Sequence, residues 1–190
     1  KKPLPVTPKI DGRGLVELAG VTKPLGANWG PANLQIWGPG WQFWQQDWGG
    51  FKGDGDMAYK GHCGVGGASV DISEKISRLA DGAFNYSWAF RATNGKLGLQ
   101  RIRLFVPLTL KHFQGGQILV DGKSVGTLPA ALGDEAINLP AGNSYEFRGA
   151  NDCSFKVWNV KGNLLLRDSR KDKRDERIAS AQKADDREAN

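Results

Sequence analysis

The sequence predicts an all-β protein whose strands form an antiparallel β-sandwich, and three observations support that fold class. The 190 residues include 26 glycines and 9 prolines but one methionine, a composition typical of many turns between short strands. Apolar and polar residues alternate with a period of two in several segments. Turn dipeptides such as Asn94-Gly95 and Asp121-Gly122 separate these segments, as they do in β-hairpins.

The sandwich domain is predicted to span residues 10–166. Residues 1–9 contain three prolines and are predicted to form an extended leader. A turn at 10–14 precedes the first predicted strand, at 15–18. From 26 to 67, short strand-like pieces interrupt what the density of glycine and tryptophan predicts to be long loops.

Clear strand alternation begins in the middle of the chain. Within 85–92, Tyr86, Trp88 and Phe90 share one face, which predicts a half-buried strand with Trp88 in the core. Residues 97–108 repeat the pattern. Because an Asn-Gly dipeptide separates the two segments, we expect them to form a hairpin or to lie side by side.

Five further strand segments follow, and the first two, 117–120 and 123–125, flank Asp121-Gly122. Asp121-Gly122 is the strongest hairpin signal, since both central residues of a type I′ turn need a positive φ. Three more strands are predicted at 136–139, 144–148 and 154–160, each bounded by Pro, Gly or Asn. One stretch of the body, 73–80, is predicted to be a helical turn.

The C-terminal segment, 167–190, differs from the rest of the chain. It mixes both charge signs densely, and Ile178 is its only large aliphatic side chain. Such a composition cannot build a core of its own. We therefore predict a charged tail or a linker to a further domain, helical in part.

The net charge of +6 raises the question of an anionic partner. Basic and acidic residues are interspersed along the body, so no phosphate-tracking stripe forms and a nucleic-acid partner is not predicted. A weak preference for an acidic polysaccharide stays open. The chain also lacks an apolar run of about 18 residues, so no membrane-spanning helix is predicted.

Catalytic and metal signatures are sparse. The nearest approach to the carboxylate pair of a glycosidase is Asp54 and Asp56, which would share a face if they lay on a strand. Acidic residues flanked by glycine are more often turn formers, or oxygen ligands of a structural calcium ion, and catalysis is the third alternative. The two histidines, His62 and His112, lack the spacing of a transition-metal site. No catalytic residue is assigned, and no cofactor is expected apart from the calcium alternative.

Tryptophan is concentrated in one segment, in which five of the seven tryptophans lie within about twenty residues. These are Trp29, Trp37, Trp41, Trp44 and Trp48. Indole faces stack on the C–H patches of sugar rings, but large aromatic side chains also fill cores. A division between the two roles is therefore expected.

Neighbouring residues help to divide the cluster. Trp37 and Trp44 are predicted to be more interior, whereas Trp41 and Trp48, which adjoin Pro-Gly and Gly-Gly, are predicted to be more exposed. The adjacent polar residues are predicted to hydrogen-bond sugar hydroxyls. They are Gln45, Gln46 and Asp47.

Five motifs between residues 86 and 140 occur in the same order in a known group of modules. They are Tyr86-Ser87-Trp88-Ala89-Phe90, the basic-apolar strand 101–108, Phe113-Gln114-Gly115-Gly116, Val120-Asp121-Gly122 and Leu128-Pro129. In these the chain resembles jelly-roll accessory modules of large bacterial polysaccharide-degrading enzymes. The motifs are structural, so the resemblance implies a jelly-roll sandwich and carries over no site residues.

The tryptophan cluster and the resemblance together favour a non-catalytic, carbohydrate-binding or accessory β-sandwich of a secreted or periplasmic carbohydrate-active protein. Trp41 and Trp48 are the predicted stacking platforms. The expected partners are a polysaccharide and a catalytic domain of the parent chain. Two alternatives remain, a jelly-roll hydrolase or lyase using Asp54 and Asp56, and a protein-assembly domain. Cys63 and Cys153 are expected to form a disulfide in such an oxidising compartment. The alternative is two separate buried thiols.

Overall fold

The structure, a computed structural model, describes residues 7–25, 31–79, 83–94, 100–128, 136–149, 153–158, 163–168 and 176–184. These ranges contain sixteen strands, one short α-helix, α1 (Leu110–Phe113), and two 3-10 turns, Pro39–Trp41 and Gln46–Trp48. The first eight strands are β1 (Lys9–Ile10), β2 (Val16–Glu17), β3 (Asn33–Trp37), β4 (Phe43–Gln45), β5 (Phe51–Gly53), β6 (Ala58–Val65), β7 (Ala68–Arg78) and β8 (Phe84–Ala92). The others are β9 (Arg101–Thr109), β10 (Gln117–Val120), β11 (Lys123–Thr127), β12 (Ala136–Asn138), β13 (Ser144–Arg148), β14 (Ser154–Trp158), β15 (Asn163–Asp168) and β16 (Glu176–Ala184).

The strands form antiparallel sheets. One sheet has six strands in the order β12-β15-β16-β9-β3-β4. Two have four strands each, in the orders β5-β6-β7-β8 and β11-β10-β13-β14, and β1 pairs with β2. The predicted all-β, antiparallel class is therefore confirmed. Among the residues described, no helix is long and apolar enough to cross a membrane.

The six-stranded sheet packs on the β5–β8 sheet through one apolar cluster. Leu34 and Ile36 of β3 are buried together with Cys63 of β6 and with Val70 and Ile72 of β7. Alternation along these strands sends every second side chain inward and the others to the opposite face of each sheet. Burying each such Leu or Ile contributes roughly 1.5–3 kcal/mol.

A second cluster joins the six-stranded sheet to the four-stranded sheet β11-β10-β13-β14. Val106 and Leu108 of β9 are buried with Tyr145 and Phe147 of β13, and Phe113 of α1 belongs to the same cluster. The six-stranded sheet therefore contributes residues to both clusters.

Several predicted elements are present, with one change of pairing. The segment predicted at 85–92 is β8, and its side chains alternate between half-buried and exposed as expected. The segment predicted at 97–108 overlaps β9. Their predicted pairing is wrong, because β8 pairs with β7 while β9 pairs with β3 and β16.

Two predictions of helix are also wrong. Residues 73–80 were expected to form a helical turn, but up to Arg78 they belong to β7, which is paired on both sides by β6 and β8. The helical tail is corrected likewise, because Glu176–Ala184 is a strand between β15 and β9. Pairing of its backbone on both sides supplies the hydrogen bonds that a helix would have formed internally.

Cys63 and Cys153 are free thiols, so the predicted disulfide between them is wrong. Cys63 lies in the cluster between β3 and β7, and burial raises the pKa of its thiol to about 11. Cys153 packs against the other cluster, and its Sγ donates to the carbonyl oxygen of Gly20 at 3.4 Å. The two thiols therefore pack against different apolar clusters.

Candidate functional site

Three aromatic rings form a continuous row on the segment rich in tryptophan. Trp37 of β3 lies opposite Phe43 of β4, and their rings stack with centroids 4.6 Å apart and planes 19° from parallel. The Trp48 ring follows, with its centroid 4.8 Å from that of Phe43 and a tilt of 48°. We call Trp37, Phe43 and Trp48 the aromatic stack. At the other end of the row, the Cζ atom of Arg103 lies 5.7 Å from the Trp37 ring centroid.

Strand alternation explains why these rings leave the core. Leu34 and Ile36 of β3 point into the cluster beneath the sheet, so Trp37 points to the opposite face. On β4, Trp44 lies opposite Ile36 and packs inward, with its ring centroid 5.6 Å from that of Phe51. Phe43 is therefore directed to the same face as Trp37.

The exposure of the indoles matches part of the sequence prediction. Trp48 is 56% exposed, which confirms its predicted exposure, and Trp37 and Trp44 are half-buried. Trp29 and the side chain of Trp41 lie outside the described residues. The described part of the cluster thus presents one largely exposed indole at the end of the row.

The two glutamines predicted to contact a sugar are buried instead. Gln45 and Gln46 are 1% and 0% exposed, so neither reaches a ligand at the surface. Gln45 Oε1 accepts a hydrogen bond from Gln35 Nε2 at 3.1 Å. Alternation places Gln45 on the face of β4 that carries Phe43, and there it pairs with Gln35 of the neighbouring strand.

Gln46 instead fixes the turn that carries Trp48. Its Oε1 accepts from the backbone N–H of Leu34 at 3.1 Å, and its Nε2 donates to the Arg13 carbonyl oxygen and to Glu74 Oε2, each at 2.7 Å. Three separate segments are therefore tied to the 3-10 turn Gln46–Trp48. Gln46 acts as a positioning residue for the exposed indole.

Glu74 is a buried carboxyl that the sequence reasoning missed. It is 2% exposed on β7, and desolvation raises its pKa to about 8 against the lowering effect of the Gln46 hydrogen bond. The negative charge of Asp11 raises it further. Gly14, at φ +75°, packs so closely that a Cβ there would collide with Glu74 Oε2. The sequence signal for this burial is the position of Glu74 within the alternating apolar series Val70, Ile72 and Ile76 of β7.

Asp47 lies beside Trp48 and is half-buried. Desolvation raises the pKa of its carboxyl, while Gln45 and Arg13 act in the opposite direction. Arg13 Nη1 donates to the Asp47 carbonyl oxygen at 3.0 Å, and the same guanidinium binds the Asp11 carboxylate at 2.9 Å. These contacts anchor the turn from the solvent side.

Asp54 and Asp56 lie in the hairpin that joins β5 to β6. Asp54 Oδ2 lies 2.8 Å from Lys60 Nζ, and the Asp54 N–H donates to the Ala58 carbonyl oxygen. The Asp56 carbonyl oxygen accepts from Lys75 Nζ. In the described ranges no three or more His, Cys, Asp or Glu side chains are grouped as metal ligands would be. The pair therefore acts in a turn, and calcium binding stays a prediction.

The aromatic stack and its polar surroundings suit a ligand with flat apolar faces and hydroxyl groups. Gln42 is exposed at its edge, and Arg101 lies opposite Trp37 in the strand register. Guanidinium and amide groups hydrogen-bond hydroxyl and carboxylate oxygens. A comparison of the chain with protein-family models, curated proteins and solved structures finds no match.

Proposed function

We propose that this chain is a non-catalytic, carbohydrate-binding β-sandwich of jelly-roll type, an accessory module of a secreted carbohydrate-active protein. The observation that carries the proposal is the aromatic stack, which ends in the 56% exposed indole of Trp48. A ring held in this way offers a flat apolar surface to a sugar without further ordering. Preorganisation of that kind lowers the entropic cost of binding.

The packing beneath Trp48 explains how the indole keeps its orientation. One of its faces approaches Phe43, which in turn stacks on Trp37. The hydrogen bonds of Gln46 hold the backbone of the turn on β3 and β7. These contacts support the Trp48 side chain from one side, and its exposed face is available to a ligand.

The polar groups around the stack define the ligand class more closely. Arg101 and Arg103 lie on β9 at register positions opposite Trp37 and Gln35. Cationic hydrogen-bond donors of this kind suit the hydroxyls of a neutral glycan and the carboxylates of a uronic acid. Both ligand classes therefore belong in the binding test.

Two rival functions, hydrolysis and protein assembly, have less support from the residues that they would use. Hydrolysis by Asp54 and Asp56 would need two available carboxylates, but the Asp54 carboxylate is paired with Lys60 Nζ. A protein-assembly role would use the same exposed indole, and association of the chain in solution would reveal it.

The test is affinity electrophoresis on gels that contain neutral or uronate-rich polysaccharides. We expect at least one glycan to retard the wild-type chain, and Trp48→Ala to weaken retardation about tenfold or more, the loss of roughly 1.4 kcal/mol of stacking. Trp158→Ala is the matched control, because Trp158 is also exposed, at 39%, but lies on β14 in another sheet.

The proposal fails if no glycan of either class retards the chain, or if Trp48→Ala and Trp158→Ala are equally retarded. Circular dichroism of each variant separates lost binding from lost folding. Analytical ultracentrifugation of the wild type distinguishes a protein-assembly surface, which would give self-association sensitive to Trp48→Ala.

A further inference from the structure

The outward face of the β6–β7 hairpin carries a hydrogen-bonded group that the proposed function does not use. Gly66 and Gly67, at φ +58° and +81°, form the tight turn between the two strands. The turn fixes the register, so that His62 on β6 lies opposite Asp71 on β7. Ser69 lies two residues before Asp71 and therefore shares its face.

The three side chains form a continuous carboxylate–imidazole–hydroxyl chain. Asp71 Oδ1 lies 2.9 Å from His62 Nδ1, and Ser69 Oγ lies 3.0 Å from His62 Nε2. A carboxylate on Nδ1 keeps the proton on that nitrogen, which leaves Nε2 free to accept a proton from the serine. This is the order of contacts by which a serine nucleophile is activated in hydrolases on unrelated folds.

Neighbouring residues orient each member of the group. Arg91 Nη2 lies 2.6 Å from Asp71 Oδ2, and the hydrogen bonds from His62 and Arg91 hold the pKa of the Asp71 carboxyl below its usual range. Thr93 Oγ1 lies 2.8 Å from Ser69 Oγ and can donate to it, which directs the serine's own proton toward His62. The Ser69 backbone N–H donates to Asn94 Oδ1 at 2.8 Å.

We propose that Ser69, His62 and Asp71 hydrolyse small acyl esters, with Ser69 as nucleophile, His62 as general base and acid, and Asp71 as the residue that positions His62. Ser69 Oγ attacks the ester carbonyl carbon and its proton passes to His62 Nε2. The ester C–O bond then breaks, and the leaving alkoxide takes that proton as an alcohol. Water then attacks the acyl carbon as His62 Nε2 takes its proton. The bond between that carbon and Ser69 Oγ breaks, His62 returns the proton to Ser69, and the carboxylic acid leaves.

The exposure of the group limits its substrates. The side chain of His62 is 55% exposed and that of Asp71 is 39% exposed, so the reaction takes place in a well-solvated site. Electrostatic stabilisation of the developing oxyanion is weaker in water than in a closed site. The chemistry therefore fits short acyl groups with good leaving alcohols, such as acetyl esters, and excludes amides.

The group and the aromatic stack lie on opposite faces of the packed sheets. Leu34 and Ile36 of β3 face the cluster that they share with Cys63, Val70 and Ile72, so the stack is on the far side of the six-stranded sheet. His62, Ser69 and Asp71 alternate with the buried residues of β6 and β7 and are on the far side of their own sheet. Ester hydrolysis at this group is therefore independent of ligand binding on the stack.

The first experiment follows p-nitrophenyl acetate hydrolysis by the folded, full chain. We expect Ser69→Ala to lower the rate above background at least about 100-fold, because it removes the hydroxyl that His62 activates and such base assistance contributes about 100-fold or more. Ser73→Ala is the matched control, because Ser73 is an exposed serine on the same face of the same strand. A wild-type rate equal to that of Ser69→Ala overturns the proposal.

Two further measurements identify the roles. A fluorophosphonate should add its mass to Ser69 in the wild type, and labelling of any other residue instead overturns the assignment of the nucleophile. Asp71→Asn should lower kcat for p-nitrophenyl acetate with little change in KM, since Asp71 acts through His62. Equal folding of all variants is checked by circular dichroism.

Glycan retardation without any Ser69-dependent cleavage of p-nitrophenyl acetate would overturn the esterase alone. Ser69-dependent cleavage without glycan retardation would overturn the carbohydrate-binding proposal alone.

Discussion

At the scale of single residues, Glu74 has the largest pKa shift among the carboxyl groups of the described residues. Its carboxyl is 2% exposed, and it joins Gln46 to the packing around Gly14. A neutral carboxylic acid fits this place better than a carboxylate, because a buried charge without a cationic partner is costly. Protonation of Glu74 is therefore coupled, through its hydrogen bond with Gln46, to the position of the turn that carries Trp48.

Replacement of Glu74 by glutamine should change how the free energy of unfolding depends on pH. Burial raises the pKa of Glu74 in the folded chain to about 8 from an ordinary 4.5. Between these values the folded state binds the proton and the unfolded state does not, so wild-type stability falls as pH rises from about 5 to 8, by on the order of 4 kcal/mol. Glu74→Gln removes this slope and is more stable than the wild type at pH 8.

Urea unfolding at several pH values measures the effect of Glu74→Gln. Asp56→Asn serves as control, because Asp56 is exposed in the β5–β6 turn and its replacement should leave the slope unchanged. Parallel pH curves for the wild type and Glu74→Gln would show that Glu74 is not the group responsible.

Gly14 and Gly12 provide a matched pair for the packing around Glu74. Gly14 has φ +75°, and a Cβ there would collide with Glu74 and lie 2.9 Å from Gln46 Nε2, whereas a Cβ at Gly12 meets nothing within 4 Å. Strained backbone and overpacking together predict that Gly14→Ala destabilises the chain by about 2–4 kcal/mol. Gly12→Ala should change stability by less than about 0.5 kcal/mol. Urea midpoints measure both, and equal values would contradict the tight packing.

At the scale of elements, the sequence predicted strands best where the two faces of a strand differ. β8 alternates aromatic and small or polar residues, which identified it, and β13 and β14 were bounded by turn residues. β7 was predicted in part as a helical turn, although its apolar residues Val70, Ile72 and Ile76 lie at the even spacings of a strand. Pairing with β6 and β8 decided the outcome.

β16 shows why some elements do not follow from local sequence. Its only large aliphatic residue is Ile178, so neither apolar content nor alternation marked it as a strand. Its place between β15 and β9 depends on pairing with strands distant in sequence, which local propensity does not report.

Both candidate sites likewise depend on strand pairing that the local sequence does not report. The tryptophan cluster was visible in composition, but the partnership of Trp37 with Phe43 requires the register of β3 and β4. The group on β6 and β7 was missed because His62 was judged by metal-ligand spacing alone. Recognition of the Gly66-Gly67 turn as a hairpin would have placed His62 opposite Asp71.

At the scale of the whole molecule, the six-stranded sheet connects the two apolar clusters. Its β3 contributes to the cluster with β6 and β7, and its β9 and β15 contribute to the cluster with β10 and β13. Within this sheet β16 is the link between β12-β15 on one side and β9-β3-β4 on the other. The integrity of both clusters should therefore depend on a charged segment that contains little apolar surface.

Truncation of the chain tests this dependence. A chain ending after Asp168 loses β16, so that β9 and β15 each lose a hydrogen-bonded neighbour and the sheet divides into two parts. Because newly exposed strand edges also promote association, we expect it to aggregate or to melt without a cooperative transition. A chain ending after Ala184 retains all of β16 and should melt like the full chain. Size-exclusion chromatography and thermal circular dichroism compare the two, and a cooperative melt of the shorter chain at the full-length temperature would show that the sheet does not need β16.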